Sequence, residues 1–248
     1  MEEYVYKDLY EMEDTYWWFR GQREVLSSLF GKLGISSGTG ARKKILDMGC
    51  GTGRMLESLA EIGDAYGIDF SPTAIDFCRE RNLRKIVRGT GEVLPFADRT
   101  FDIVTALGVL CHRGIRDDGA TLKELARTIK SGGYLVLSEP AFMFVYGPHD
   151  EAQHCRKRYT AGEMKKLTEA CGLRVEKLTY FNFFLFPVFV AHRLRKRWSG
   201  IESESDVQRI SPLLNSLLCI LLRLEAGIIG GLTSLPLGSS VVCIARKP

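Results

Sequence analysis

Two acids and three glycines carry the chemistry that can be read from this chain. Asp47 stands two residues before Gly49, and Gly51 and Gly53 follow at alternate positions. Glycines in such a run let the backbone turn sharply and approach a ligand more closely than any Cβ permits. A dinucleotide fingerprint would place a third glycine where this sequence has Arg54, so that reading fails at its last element. Asp47 also argues against it, since a carboxylate repels a pyrophosphate and suits a ligand bearing an ammonium group. Asp69 ends the next apolar run, where a carboxylate can accept both ribose hydroxyls of a nucleoside. His112, His149, His154 and Tyr159 fall on loops expected at the same sheet edge and are candidate proton acceptors, with a bracing role for each as the alternative.

The elements that must position these groups follow from periodicity. Lys43 and Lys44 lead into a buried strand ending at Asp47, and the helix after Arg54 has apolar residues at helical spacing. Asp64 to Asp69 reads as a second strand. Ser71-Pro72 then opens a helix with the serine as N-cap. Leu83 to Val87 is expected as strand three, Asp98 to Val104 as strand four, a helix from Asp117 to Lys130, and strand five from Tyr134 to Ser138. Residues 141–159 read as an irregular loop. Thr160 with Glu163 forms a capping box for a helix ending at Gly172. Leu173 to Tyr180 is strand six and Ser240 to Arg246 the last strand. Ahead of all this, residues 4–33 read as one helix and Gly34 to Gly40 as a flexible linker.

The motif Asp-x-Gly-x-Gly-x-Gly at 47–53 resembles the first motif of the class I S-adenosylmethionine-dependent methyltransferases. Leu94-Pro95-Phe96, Phe101-Asp102-Ile103-Val104, Val109-Leu110-Cys111-His112 and Ser131-Gly132-Gly133 resemble, in order, further segments of their type 11 group. The resemblance spans roughly residues 41–180. It implies an α/β fold: a Rossmann-like, doubly wound seven-stranded sheet, mostly parallel with an antiparallel last strand, plus a helical cap. It also implies S-adenosyl-L-methionine as cofactor and S-adenosyl-L-homocysteine as product. Asp47 and the backbone of Gly49, Cys50, Gly51 and Gly53 would hold the methionine part, Asp69 the ribose, and Phe70 or Leu94 a face of the adenine. Gly91 and Leu107 would add main-chain contacts. The family places an acid where this chain has Thr90, so Glu92 or the backbone at Gly91 would take the adenine amino group. His112 becomes the first candidate base, because the motif fixes its place after strand four; His154 and Tyr159 stand behind it. The aromatic run Tyr16 to Phe19 reads either as a helix packed on the domain or, through Trp18, as a wall beside the sulfonium. Arg20 or Arg23 would then pair the ligand carboxylate.

The expected organisation is a cap and linker at 1–40, a cofactor-binding core at 41–180, an apolar insertion at 181–239 and a final core strand at 240–248. The insertion and the N-terminal helix are the only material foreseen to roof the sheet edge. A roof of Phe, Leu and Val suits a small apolar or lipid-linked acceptor. The basic tip Arg193 to Trp198 suits peripheral contact of 181–198 with an anionic membrane. A plain core or a homodimer contact are the alternatives. The charge of +4 over 248 residues is mild, and motifs of base-modifying enzymes are missing, which disfavours nucleic acid. A non-catalytic binder of the cofactor or its product is the rival from another class. Seven scattered cysteines point to reduced thiols, without zinc, in a cytoplasmic setting. The acidic start suggests no secretory leader, and no uninterrupted apolar run suggests a spanning helix.

Overall fold

The computed structural model describes residues 3–35, 42–199, 210–231 and 233–248, without the side chains of Glu3 and residues 196–199. Most of the Gly34 to Gly40 linker, the polar stretch after residue 199, and the side chains of Lys196, Arg197 and Trp198 lie outside that description.

Seven strands form one sheet in the order β3-β2-β1-β4-β5-β7-β6. They are β1 (Lys43–Met48), β2 (Gly63–Asp69), β3 (Ile86–Arg88), β4 (Phe101–Leu107), β5 (Ile129–Pro140), β6 (Arg174–Phe181) and β7 (Ser240–Arg246). The first five run parallel, and β7 lies antiparallel between β5 and β6. This is the Rossmann-like sheet foreseen from the sequence. Val241 to Ala245 on β7 are fully buried, as expected for a strand covered on both faces by helices.

Helices α1 (Glu3–Met12), α2 (Trp17–Lys32), α3 (Arg54–Ile62), α4 (Pro72–Glu80) and α5 (Asp118–Thr128) precede α6 (Pro148–Ala152), α7 (Ala161–Ala170), α8 (Phe186–Ser199) and α9 (Pro212–Gly230). Local signals held well. Ser71 Oγ accepts the Ala74 N–H, and the Thr160–Glu163 capping box is formed. Asp117 caps α5 from outside it, accepting the Ala120 N–H.

Three expectations are corrected. Residues 4–33 are two helices, broken between Met12 and Trp17, because Glu13 turns inward to the core. Residues 141–159 hold a short 3-10 turn (Met143–Val145) and α6; the buried, bidentate Arg158–Asp150 pair orders them at 2.9 and 3.0 Å. Third, α9 is long and apolar enough to cross a membrane, with a mean hydropathy of 1.7. Arg223 and Glu225 interrupt its run, so a search for unbroken apolar sequence passes over it.

Candidate active site

β1 and β2 are adjacent and parallel, with Met48 level with Ile68, so Asp47 and Asp69 come out beside each other at the carboxyl edge. The chain leaving β1 is locked to β2 by the Gly49 N–H, which donates to the Ile68 carbonyl at 2.7 Å. A Cβ on Gly49, which has φ +73°, would lie 2.5 Å from the Val109 side chain. Gly51 also has a left-handed backbone, φ +55°, but nothing within 4 Å of its missing Cβ. Its bare face looks onto open space.

That space is a cavity of about 590 Å³, within the range of roughly 300–1,000 Å³ that takes small molecules. Asp47, Gly49, Cys50, Gly51, Asp69, Phe70, Gly91, Glu92, Leu107 and Trp18, all expected near the cofactor, line it. Gly53 does not; with φ +92° it turns the chain into α3.

The electrostatics of the two acids differ. Asp69 accepts N–H groups from Gly51 at 3.0 Å and Ser71 at 2.9 Å on separate oxygens. With the Phe70 N–H as a third backbone donor, the roughly four acceptor sites of a carboxylate leave room for a further one. Burial pushes its pKa up, and these backbone donors oppose the rise. Asp47 accepts one hydroxyl, from Thr105 at 2.6 Å. Full burial raises its pKa to about 7, so a cation placed against it would favour the charged form.

The candidate bases fare less well. His112 lines the cavity, but its Nδ1 accepts the Gly114 N–H at 3.0 Å. The neutral ring then carries its proton on Nε2. Burial, then neighbouring positive charge from His154 and Arg113, lowers its pKa to about 4. The ring is suited to donate a hydrogen bond and not to take a proton. His154 is outside the cavity lining, its ring 5.9 Å from that of His112. Tyr159 is fully buried, and its hydroxyl donates to Asp118 at 3.0 Å; it holds the loop to α5. Arg20 faces a shallower depression between α2 and α3 instead. Trp18 and His149 are also in the lining, and Trp18 stacks on Phe181 at 5.1 Å and 17°.

Several lining residues escaped the sequence reading. Glu139, near the end of β5, is buried; Val109, Leu110 and Cys111 donate their N–H groups to it at 3.1, 2.9 and 3.1 Å. Burial raises its pKa to about 7. It clamps the loop that carries His112. The available signal was positional: it is an acid at the end of a core strand, like Asp47 and Asp69. Tyr6 on α1 lies against Asp69 and Ser71, its pKa pushed to about 12 by burial and then by Asp69. Glu13 accepts the Thr52 hydroxyl at 2.6 Å and Arg81 Nη2 at 2.8 Å, fixing the α1–α2 elbow over the glycine turn. Asp150, Gln153 and Arg158 line the cavity too, so the 141–159 segment also contributes to its wall.

A family model described as a methyltransferase domain matches residues 46–137. Over those residues the chain is similar to that domain. The domain covers β1 through the inner part of β5, which includes both acids and the glycine turn. A demethylmenaquinone methyltransferase of Corynebacterium kroppenstedtii is 38% identical over 111 residues, covering 42% of this chain and 47% of that protein. Another from a Geobacillus strain is 38% identical over 108 residues, covering 39% and 45%. The chain thus spans about half the length of the curated relatives it matches. A SAM-dependent methyltransferase from Archaeoglobus fulgidus shares the fold at TM-score 0.58 and 19% identity, covering 91% of this chain and 94% of that one. Haemonchus contortus phosphoethanolamine N-methyltransferase 2, solved with S-adenosyl-L-methionine, does so at TM-score 0.57 and 14% identity, covering 90% and 52%.

The residues lining the cavity fit that cofactor: the open face of Gly51 leaves room for the aminoacyl chain, Asp69 can accept a further hydrogen bond from a ribose hydroxyl, and no cation among the described residues pairs with Asp47.

Proposed function

We propose that this chain is an S-adenosylmethionine-dependent methyltransferase acting on a small, apolar acceptor, with a lipid-linked quinone-type ring as the leading class. The observation that carries the reading is the pair of buried acids, Asp47 and Asp69, side by side above the glycine turn in one cavity. When bound, the cofactor supplies an electrophilic methyl group on a sulfonium. Asp47 would hold its ammonium, the 49–51 backbone its carboxylate end, Asp69 its ribose and the loop at Gly91 and Glu92 its adenine.

Methyl transfer by in-line displacement asks the protein for orientation and water exclusion more than for covalent chemistry. Trp17, Trp18, Phe19 and Phe189 give the cavity an apolar wall for the acceptor. Ser138 and Gln22, 3.4 Å apart, add polar groups to the lining. His112 would orient an acceptor oxygen as a donor, and Glu139 would fix the loop holding it. The acceptor class draws support from the names of the partial relatives and from this wall. Residues 1–40 and 181–239 form the cap in this reading, with 41–180 and 240–248 as the core.

Two measurements test it. Calorimetry with the intact protein is expected to show binding of S-adenosylmethionine and S-adenosylhomocysteine; binding of neither defeats the proposal. Labelled methyl transfer to prenylated quinol acceptors should then exceed transfer to polar amines. Cofactor binding without transfer to any acceptor would favour the non-catalytic binder.

A further inference from the structure

Helix α9 presents an aliphatic stripe that no described residue covers. Leu213, Leu217, Ile220, Leu224 and Ile228 recur at helical spacing and are between 39% and 73% exposed. Single exposed apolar residues are ordinary, but a continuous row on one helix marks an interaction surface. The opposite face is fastened to the domain. Buried Glu225 accepts the Phe183 N–H at 2.9 Å. Asn215 accepts the Trp17 N–H and donates to the Thr15 carbonyl, both at 2.9 Å. Leu222, Ala226 and Ile229 are buried below.

We infer that α9 lies in the surface of an anionic lipid bilayer, its stripe immersed, and does not cross it. Three observations select this occupant. The polar tethers at both ends of α9 hold it flat along the domain, so spanning would require Glu225 and Asn215 to give up their partners inside hydrocarbon. The stripe runs about 22 Å along a helix about 10 Å wide, or about 220 Å². That is well below the ~800 Å² per partner of a stable dimer, which speaks against a second copy. Charge points the same way: Glu225, the acid of α9, is turned inward, while its Arg223 stays exposed, and α8, the helix before it in sequence, contains no acid. Such a face matches the helices that rest in a headgroup layer.

Within 181–198, the segment foreseen as a membrane contact, one basic residue is turned inward. Arg193 is buried, its guanidinium 5.1 Å from the Phe189 ring, and is not available to a surface. The α9 tethers end on Trp17, which lines the cavity, and on Phe183, next to Asn182, which also lines it. The cavity lining therefore adjoins the tethered face of α9. This deepens the proposed function, resting on it only for the direction from which an apolar acceptor would arrive.

The test is flotation of the full chain with vesicles of phosphatidylcholine and phosphatidylglycerol, against vesicles of phosphatidylcholine alone. The Leu217→Asp, Leu224→Asp double variant changes two exposed side chains and is expected to lower vesicle partition at least about tenfold. Tyr4→Asp, an equally exposed change on α1, is expected to leave it unaltered. Circular dichroism and cofactor calorimetry, both expected to be unchanged, show that fold and cofactor site survive, and calorimetry reads the proposed activity separately. Equal partition of wild type and double variant overturns the inference. So does a salt-sensitive binding that ignores the double substitution, which would move the contact to the basic segment. A dimer by light scattering that the double variant dissolves would assign the stripe to a second copy instead.

Discussion

The cavity has two halves built by different means. The half beneath the glycine turn is made by main chain: N–H groups of Gly49, Gly51 and Ser71 fix its geometry, and its acids sit at the ends of neighbouring strands. The roof is made by side chains brought from far apart in sequence. Glu13 meets Thr52 and Arg81, Trp18 stacks on Phe181, and Asp150 pairs with Arg158 over Ala141. Backbone geometry tolerates many side chains around it, whereas each roof contact depends on one particular pair. A floor of the first kind suits a constant ligand, and a roof of the second kind suits an acceptor that differs among relatives.

The largest effect that can break this division comes from Asp150→Ala. It leaves Arg158 charged, buried and without its carboxylate, which should cost about 3–5 kcal/mol of stability by denaturant titration. Cofactor affinity, measured where the variant is still folded, should stay within about threefold of wild type; a parallel loss would show the two halves to be one. Next comes Asp69→Ala. Losing charge-assisted bonds to a ribose should weaken S-adenosylmethionine binding by about 100-fold in calorimetry. A change under about threefold would place the nucleoside elsewhere.

The pH profile sharpens the same contrast. Asp47 must be ionised to hold an ammonium, and its pKa of about 7 means the free protein protonates it below neutrality. Affinity should therefore be flat above about pH 8 and fall about fivefold from pH 7 to pH 6. Asp47→Asn should bind weakly with no such slope. A wild-type profile flat down to pH 5 would remove Asp47 from ammonium binding. The smallest effect is expected of Tyr159→Phe. It should lose about 1 kcal/mol of stability with turnover unchanged, because the hydroxyl serves Asp118 and not the cavity. A large drop in turnover at constant stability would return Tyr159 to the candidate bases.

The same division explains what could be read in advance. The floor was legible because its signals are local. Asp47, the three glycines and Asp69 lie within a single strand–helix–strand unit, and the Ser71 and Thr160 caps bond residues three positions away. The roof was not, because its partners lie tens of residues apart. Nothing near Glu13 announces that Thr52 and Arg81 will draw it inward and break the helix. Glu139 serves N–H groups about thirty residues earlier. The charges that hid the length of α9 find their partners at Glu24 and Phe183. His112 was placed correctly, but its chemistry depends on the Gly114 N–H, a contact that spacing does not reveal.

Helix α1 bears on how anything gets in or out. Tyr6 closes one side of the cavity from α1, yet that helix adds no strand to the sheet. It is hung on the stack of Tyr10 on Phe77 at 4.6 Å, on Arg81 over the Tyr10 ring, and on the Glu13 clasp. These attachments, with the Tyr6–Ser71 contact, are separate from the rungs between strands, so freeing α1 would leave the sheet ladder intact.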